Sequence, residues 1–108
     1  MLKRCKRVRV GRAGGSARQR AEDVRLAALA RAIAHPARLR LLRTLADRQS
    51  CICGDLAGRV PLAQSTVSEH LRILKEAGLI RARAVGQRTC YVIEPRAVAR
   101  LKRLVSGL

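Results

Sequence analysis

Leu62-Ala63-Gln64-Ser65-Thr66-Val67-Ser68-Glu69-His70-Leu71-Arg72-Ile73-Leu74-Lys75-Glu76-Ala77-Gly78 is the stretch from which the rest of the chain is read. Val67, Leu71 and Leu74 recur at i, i+4 and i+7, which on a helix stacks them into one apolar stripe. Gln64, Ser65, Ser68, Glu69 and Arg72 share another face that is small and rich in hydrogen-bonding groups. Gly78, ahead of the apolar pair Leu79-Ile80, is where such a helix stops. A small polar face of this kind suits the major groove of DNA. The pattern alone also describes a solvated amphipathic helix, so the rest of the chain has to decide.

Composition favours the groove. The 108 residues make one domain, and 24 Lys and Arg against 7 Asp and Glu leave a formal charge of +17. That excess points to a polyanion, either nucleic acid or an anionic surface. Tyr91 is the single aromatic residue. Modules that read RNA or single strands stack bases on aromatic side chains, so duplex DNA fits better. A core of Leu, Ile, Val and Ala in so short a chain is small, and burial across a dimer would add to it. No apolar run is long enough to span a membrane, and the basic N-terminus lacks the apolar stretch of a signal peptide. A cytoplasmic protein is expected. In that reducing compartment the 4 cysteines read as thiols or ligands rather than a disulfide framework.

Residues 1–20 hold eight Lys or Arg and no acid, with Gly11, Gly14 and Gly15 among them, and read as a disordered basic arm carrying Cys5. The folded domain is expected over 21–108. Ala21–Ala34 has a helical period through Leu26, Leu29, Ala30 and Ile33, with Glu22 and Asp23 in the first turn. His35-Pro36 breaks it and opens a second helix, lined by Leu39, Leu42, Leu45 and Ala46, that runs to about Asp47. His35 reads as a capping or packing residue at the break. Ser50-Cys51-Ile52-Cys53 alternates like a short strand, and Asp55–Val60 reads as a short helix ahead of the turn at Pro61. Leu79–Val85 and Arg88–Ile93, joined by Gly86-Gln87, make a hairpin whose Arg81, Arg83 and Arg88 suit phosphates or a minor groove. Pro95 opens a last helix with Val98, Leu101, Val105 and Leu108 on one side. The result is mainly α with a small β-hairpin: a winged helix-turn-helix.

Ala34-His35-Pro36-Ala37-Arg38-Leu39, Gln64-Ser65-Thr66-Val67-Ser68-Glu69-His70-Leu71 and Leu74-Lys75-Glu76-Ala77-Gly78-Leu79-Ile80 resemble the signature segments of the ArsR/SmtB repressor family. The resemblance covers about residues 21–108. It implies a homodimer, joined through its first and last helices, that sits on a palindromic operator and leaves when a metal or metalloid binds. On this chain the interface falls to Leu26, Leu29, Ile33, Val98, Leu101 and Val105. Groove contacts fall to Gln64, Ser65, Thr66, Ser68, His70 and Arg72, and wing contacts to Arg83 and Arg88. His70 either packs or touches DNA.

Cys51-Ile52-Cys53 resembles the Cys-x-Cys of the arsenic- and cadmium-sensing branches, and two thiolates this close chelate a soft ion. Arg48 nearby favours the thiolate form. In winged helices the short strand pairs with the second wing strand, which would set Cys51 and Cys53 beside Arg88–Ile93. If Tyr91 and Ile93 face the core, Cys90 lies on the other face, with the pair. Three thiolates in a pyramid suit trivalent arsenic or antimony. No third cysteine stands at Leu56 or Ala57, as it would in the familiar arsenic pattern, so Cys5 remains a rival third ligand. An arm-completed site would resemble the cadmium and lead branch, with zinc as a further candidate. The helix Pro95–Leu108 holds no His, Asp, Glu or Cys and offers no metal site. A sequence-tolerant architectural DNA-binding protein with inert cysteines is the rival from another class. No nucleophile–base pair or carboxylate dyad marks an enzyme.

Overall fold

The computed structural model describes residues 15–48 and 63–108, apart from the side chains of Arg48 and Gln64. The strand expected at Ser50–Cys53 and the helix expected at Asp55–Val60 lie outside the described residues, as do residues 1–14.

Helix α1 spans Ala17–Ile33. It begins four residues earlier than the apolar period indicates, because Ser16 caps it: the hydroxyl accepts the Gln19 backbone N–H at 3.0 Å. Glu22 and Asp23 therefore fall beyond the first turn, which holds no acid. Leu29 and Ala32 are its buried residues, with Leu26 and Ile33 packed beside them, while Ala30 is exposed. After Ala34 the chain turns into α2, Pro36–Arg48. His35 caps this second helix, its ring Nδ1 accepting the Ala37 N–H at 3.0 Å. The proline that follows occupies a first helical position, where its missing N–H costs nothing. Leu41 and Leu45 become fully buried, Leu39 and Leu42 partly so, and Ala46 stays exposed. Leucines at 39, 41, 42 and 45 share an arc of about 160° on a helix, with Leu41 at its edge, so their spacing did not single out Leu41 as an inner residue.

Helix α3, Gln64–Glu76, buries the stripe expected of it: Val67, Leu71 and Leu74 are all in the core. It ends where a left-handed residue reverses the chain. Gly78 has φ +83°, its N–H reaches the Lys75 carbonyl at 2.9 Å, and the Leu79 N–H reaches the Leu74 carbonyl at 3.1 Å. This is a Schellman stop, completed by Leu74 and Leu79, both fully buried in one cluster.

Strands β1, Ile80–Val85, and β2, Arg88–Ile93, then form an antiparallel hairpin with Ile80 opposite Ile93 and Val85 opposite Arg88. Gly86, φ +64°, takes the first of two turn positions, as the primed turns of tight hairpins require. Glu94 donates its N–H to the Leu79 carbonyl at 2.8 Å, and Pro95 opens α4, Pro95–Ser106. Helix α4 packs on α1, α2 on β2 and α3, and α3 on β1. One cluster of leucines, with Val67, Ile80 and Ala32, joins all of these elements. The described architecture is mainly helical with a small hairpin, as the sequence indicates.

Nothing stands within 4 Å of a Cβ built on Gly78, so the cost of a side chain there is conformational. Gly78→Ala should lower unfolding free energy by about 1–2 kcal/mol, the strain of an L-residue in the left-handed region. Denaturant unfolding at fixed protein concentration measures it, and an unchanged midpoint would mean that the stop is not strained by a side chain.

Candidate nucleic-acid interface and cysteine site

Because the inner stripe of α3 is buried, its polar residues are turned outward. Ser65, Thr66, Ser68, Glu69 and Arg72 are all exposed, and Gln64 starts the helix. Small hydroxyls with a charged residue at the far end of such a face leave room for base edges. Arg72 is not isolated there. Its Nε and Nη2 fork onto the two Glu69 carboxylate oxygens at 3.0 and 2.5 Å, and Nη1 reaches Glu76 at 2.6 Å. The guanidinium thereby holds Glu69 below the usual carboxylate range, and both acids push Arg72 further up. All three side chains are about half exposed or more, so these pairs add little stability. Their effect is electrostatic: two acids offset the one arginine on the outer face.

His70 behaves differently from its expected companions. It is 8% exposed and turned inward, with its Nδ1 3.3 Å from Nη1 of Arg38 on α2 and its ring centroid 4.4 Å from that of His35. Of the two roles open to it, the structure gives it packing rather than the groove. No pattern of spacing pointed to its pairing with His35, thirty-five positions away.

On the hairpin, Arg83 and Arg88 are exposed, and Arg81 is paired with Glu94 at 3.0 Å. Tyr91 and Ile93 pack against the core, and Cys90, one register position away and opposite Arg83, is buried at 3% exposure. Cys90 is disulfide-bonded, which departs from the expectation of free thiols. Cys5, Cys51 and Cys53, the other cysteines of the chain, all lie outside the described residues. Among the described residues, no three His, Cys, Asp or Glu side chains gather as a metal site.

The residues expected at an interface between subunits divide. Leu29 and Leu101 are buried inside the single chain, and Leu26, Ile33 and Val98 pack partly against the same core. Val105 is half exposed. Val24 on α1 and Leu108, just beyond the end of α4, are also left outside, at 70% and 90% exposed. Ala17, Ala21, Val24 and Ala28 run along the exposed side of α1 at i, i+4, i+7 and i+11. That stripe was hidden in the sequence because alanine contrasts little with its neighbours.

Residues 35–82 match the family of bacterial regulatory proteins named for arsR. A transcriptional repressor SmtB homolog of Synechocystis is 40% identical over 75 residues, 69% of this chain; the chain spans only 56% of that relative's length. Among solved structures, the homodimeric winged helix-turn-helix DNA-binding domain of a possible ArsR-family regulator from Mycobacterium bovis superposes with TM-score 0.70. It is 35% identical and covers 89% of this chain and 88% of its own. A possible transcriptional regulator for arsenical resistance is 33% identical at TM-score 0.66, covering 74% and 81%. These relatives are regulators, not enzymes.

Replacing both Glu69 and Glu76 by Gln should release Arg72 from its pairs and remove two negative charges from the outer face. The slope of log affinity for duplex DNA against log salt should then steepen by about one unit, the effect of one added phosphate contact. An unchanged slope would show that this face does not meet the backbone.

Proposed function

From its membership of the arsR family of bacterial regulatory proteins, we propose that this chain is a metalloid-responsive transcriptional repressor, acting in the cytoplasm as a homodimer on a palindromic operator. The observation that carries the DNA half is α3 itself: a helix whose apolar stripe is buried and whose outer face offers Ser65, Thr66 and Ser68, with Arg72 beside them. Gln64 belongs to the same turn, and Arg83 and Arg88 on the hairpin would take phosphates. No described helix is long and apolar enough to cross a membrane.

The dimer is assigned to the outer side of α1, through Ala17, Ala21, Val24 and Ala28, and to Val105 of α4 with Leu108 just beyond its end. Their exposure in one chain supports this, and it moves the seam away from Leu29 and Leu101, which the single chain already buries. The homodimeric relative from Mycobacterium bovis is in keeping with it.

The inducer is assigned to thiolates of Cys51, Cys53 and Cys90. In support, Cys90 is buried on the hairpin and its sulfur is engaged in a disulfide. In the reduced protein these sulfurs are soft donors suited to trivalent arsenic or antimony. When bound, the metalloid would tie three sulfurs together. The chain's own part is to hold Cys90 on β2, the strand that α2 packs against, so that strain at the sulfur is passed to the helices beside it. The alternative is a cadmium, lead or zinc sensor in which Cys5 supplies the third thiolate.

Arsenite titration of the reduced protein on DNA tests the assignment. Release should lower affinity by about 5–150-fold, the ordinary range of allosteric coupling. Cys51→Ser, Cys53→Ser and Cys90→Ser should each keep DNA binding and lose release, while Cys5→Ser behaves as wild type. Loss in Cys5→Ser with retention in Cys90→Ser would hand the site to the arm. No response in any of them would leave an architectural protein.

Val105→Glu should weaken the dimer in sedimentation with the fold intact, whereas Leu101→Glu should unfold the chain, since an unpaired charge would enter the core. Operator half-sites should lie about 34–36 Å apart or a multiple of that, and moving them by half a turn should abolish tight binding.

A further inference from the structure

His70 is the buried polar residue among the described side chains, and it sits on the back of the helix assigned to the groove. A guanidinium only donates, so at 3.3 Å from Arg38 Nη1 the His70 Nδ1 is an acceptor and its ring proton is on Nε2. His35 is held the same way, its Nδ1 accepting the Ala37 N–H at the start of α2. The two rings lie 4.4 Å apart, tilted by 49°. Both use as an acceptor the nitrogen that a proton would occupy. The Nε of Arg38 is buried without a partner, so its contact to His70 is the hydrogen bond found for that guanidinium among the described residues.

We propose that His35, Arg38 and His70 form a proton-sensitive latch between α2 and the recognition helix α3, so that sequence-specific DNA binding weakens as the medium turns mildly acidic. A proton on His70 removes the acceptor that Arg38 uses and sets two positive groups against each other. From α2 the groups facing His70 are His35 and Arg38; on α3 itself Glu69 opposes them weakly. Helix α1 and strand β1 meet α3 through apolar Leu29, Ala32 and Ile80. Burial, then His35 and Arg38, hold the His70 imidazole below the ordinary histidine value. The sign follows. A depressed histidine contributes its full stability above about 6.5, its unfolded value, and loses it as pH falls from there through the folded value. DNA binding inherits the same sign if the bound complex needs α3 in its latched position, because the free protein then accepts the proton more readily.

Net charge alone predicts the reverse, since acidification adds positive charge to a chain that binds a polyanion. The inference rests on the DNA-binding reading, and its test separates the two. A duplex enriched by this protein from a random-sequence library at pH 8 serves as probe, at constant ionic strength from pH 8 to 5.5. Wild-type affinity should fall by up to about fivefold by pH 5.5, the part realised there of the tenfold limit for a one-unit difference in His70 pKa between free and bound protein. His70→Gln should show a flat or rising profile, and His35→Gln a shallower fall. Parallel profiles in wild type and His70→Gln overturn the latch. Imidazole titration of the free protein by nuclear magnetic resonance reads it without DNA: a His70 that titrates at or above an ordinary histidine overturns it, and a depressed one supports it. Failure of the library to enrich any sequence overturns the repressor reading, while that titration still decides the latch.

Discussion

Leu79 is held from three directions, and the arrangement of the domain depends on it. Its N–H closes the stop of α3 on the Leu74 carbonyl, its carbonyl takes the Glu94 N–H, and its side chain is wholly buried. One residue thus joins the end of the recognition helix, the root of the hairpin and the entry to the last helix. This is possible because Gly78 adopts a positive φ and turns the chain back at once. A slower turn would separate Leu74 from Leu79 and leave a helix carbonyl unpaired. Five of the six β1 residues are exposed, so the hairpin is placed by the helix that precedes it and by β2, whose Tyr91 and Ile93 pack against the core.

The elements legible in the sequence were those whose signal is local. The α3 stripe, the glycine that ends it, the two-residue turn at Gly86 and the proline that opens α4 each work through the backbone of a few neighbours. His35 as a cap belongs with them, because the N–H it satisfies is two residues away. What spacing did not reveal depends on tertiary placement. Leu41, fully buried, was left off an inner face read as Leu39, Leu42, Leu45 and Ala46. Leu29 and Leu101 were read as seam residues because an apolar stripe announces burial without saying in what. The inward turn of His70 depends on Arg38 and His35 arriving from another helix. The start of α1 was set by Ser16, a capping signal that stood inside a run read as basic arm.

The positive charge of the protein is less freely available than its 24 Lys and Arg suggest. On the outer face of α3, Glu69 and Glu76 hold Arg72 in a fixed fork, and on the hairpin Glu94 holds Arg81. Pairs of this kind cost affinity for any polyanion but orient the guanidinium in advance. A face that offers hydroxyls and one braced arginine is better suited to discriminating sequences than to clinging to all of them. The nonspecific attraction is then left to the remaining basic residues, and the reading of sequence to a helix that is close to neutral.

The exposed ribbon has a consequence for solubility. Among the described residues β1 has β2 as its one sheet neighbour, so its outer edge carries backbone groups on which a second ribbon could pair. Arginines at 81 and 83 lie on the same face of that strand, and though Glu94 offsets Arg81, the long charged side chains there disfavour such pairing between copies. The charges proposed for a DNA backbone therefore guard the edge while no DNA is bound. Duplex DNA would lift that guard only where it covers the ribbon itself, so a wing of this design stays protected against aggregation in both states.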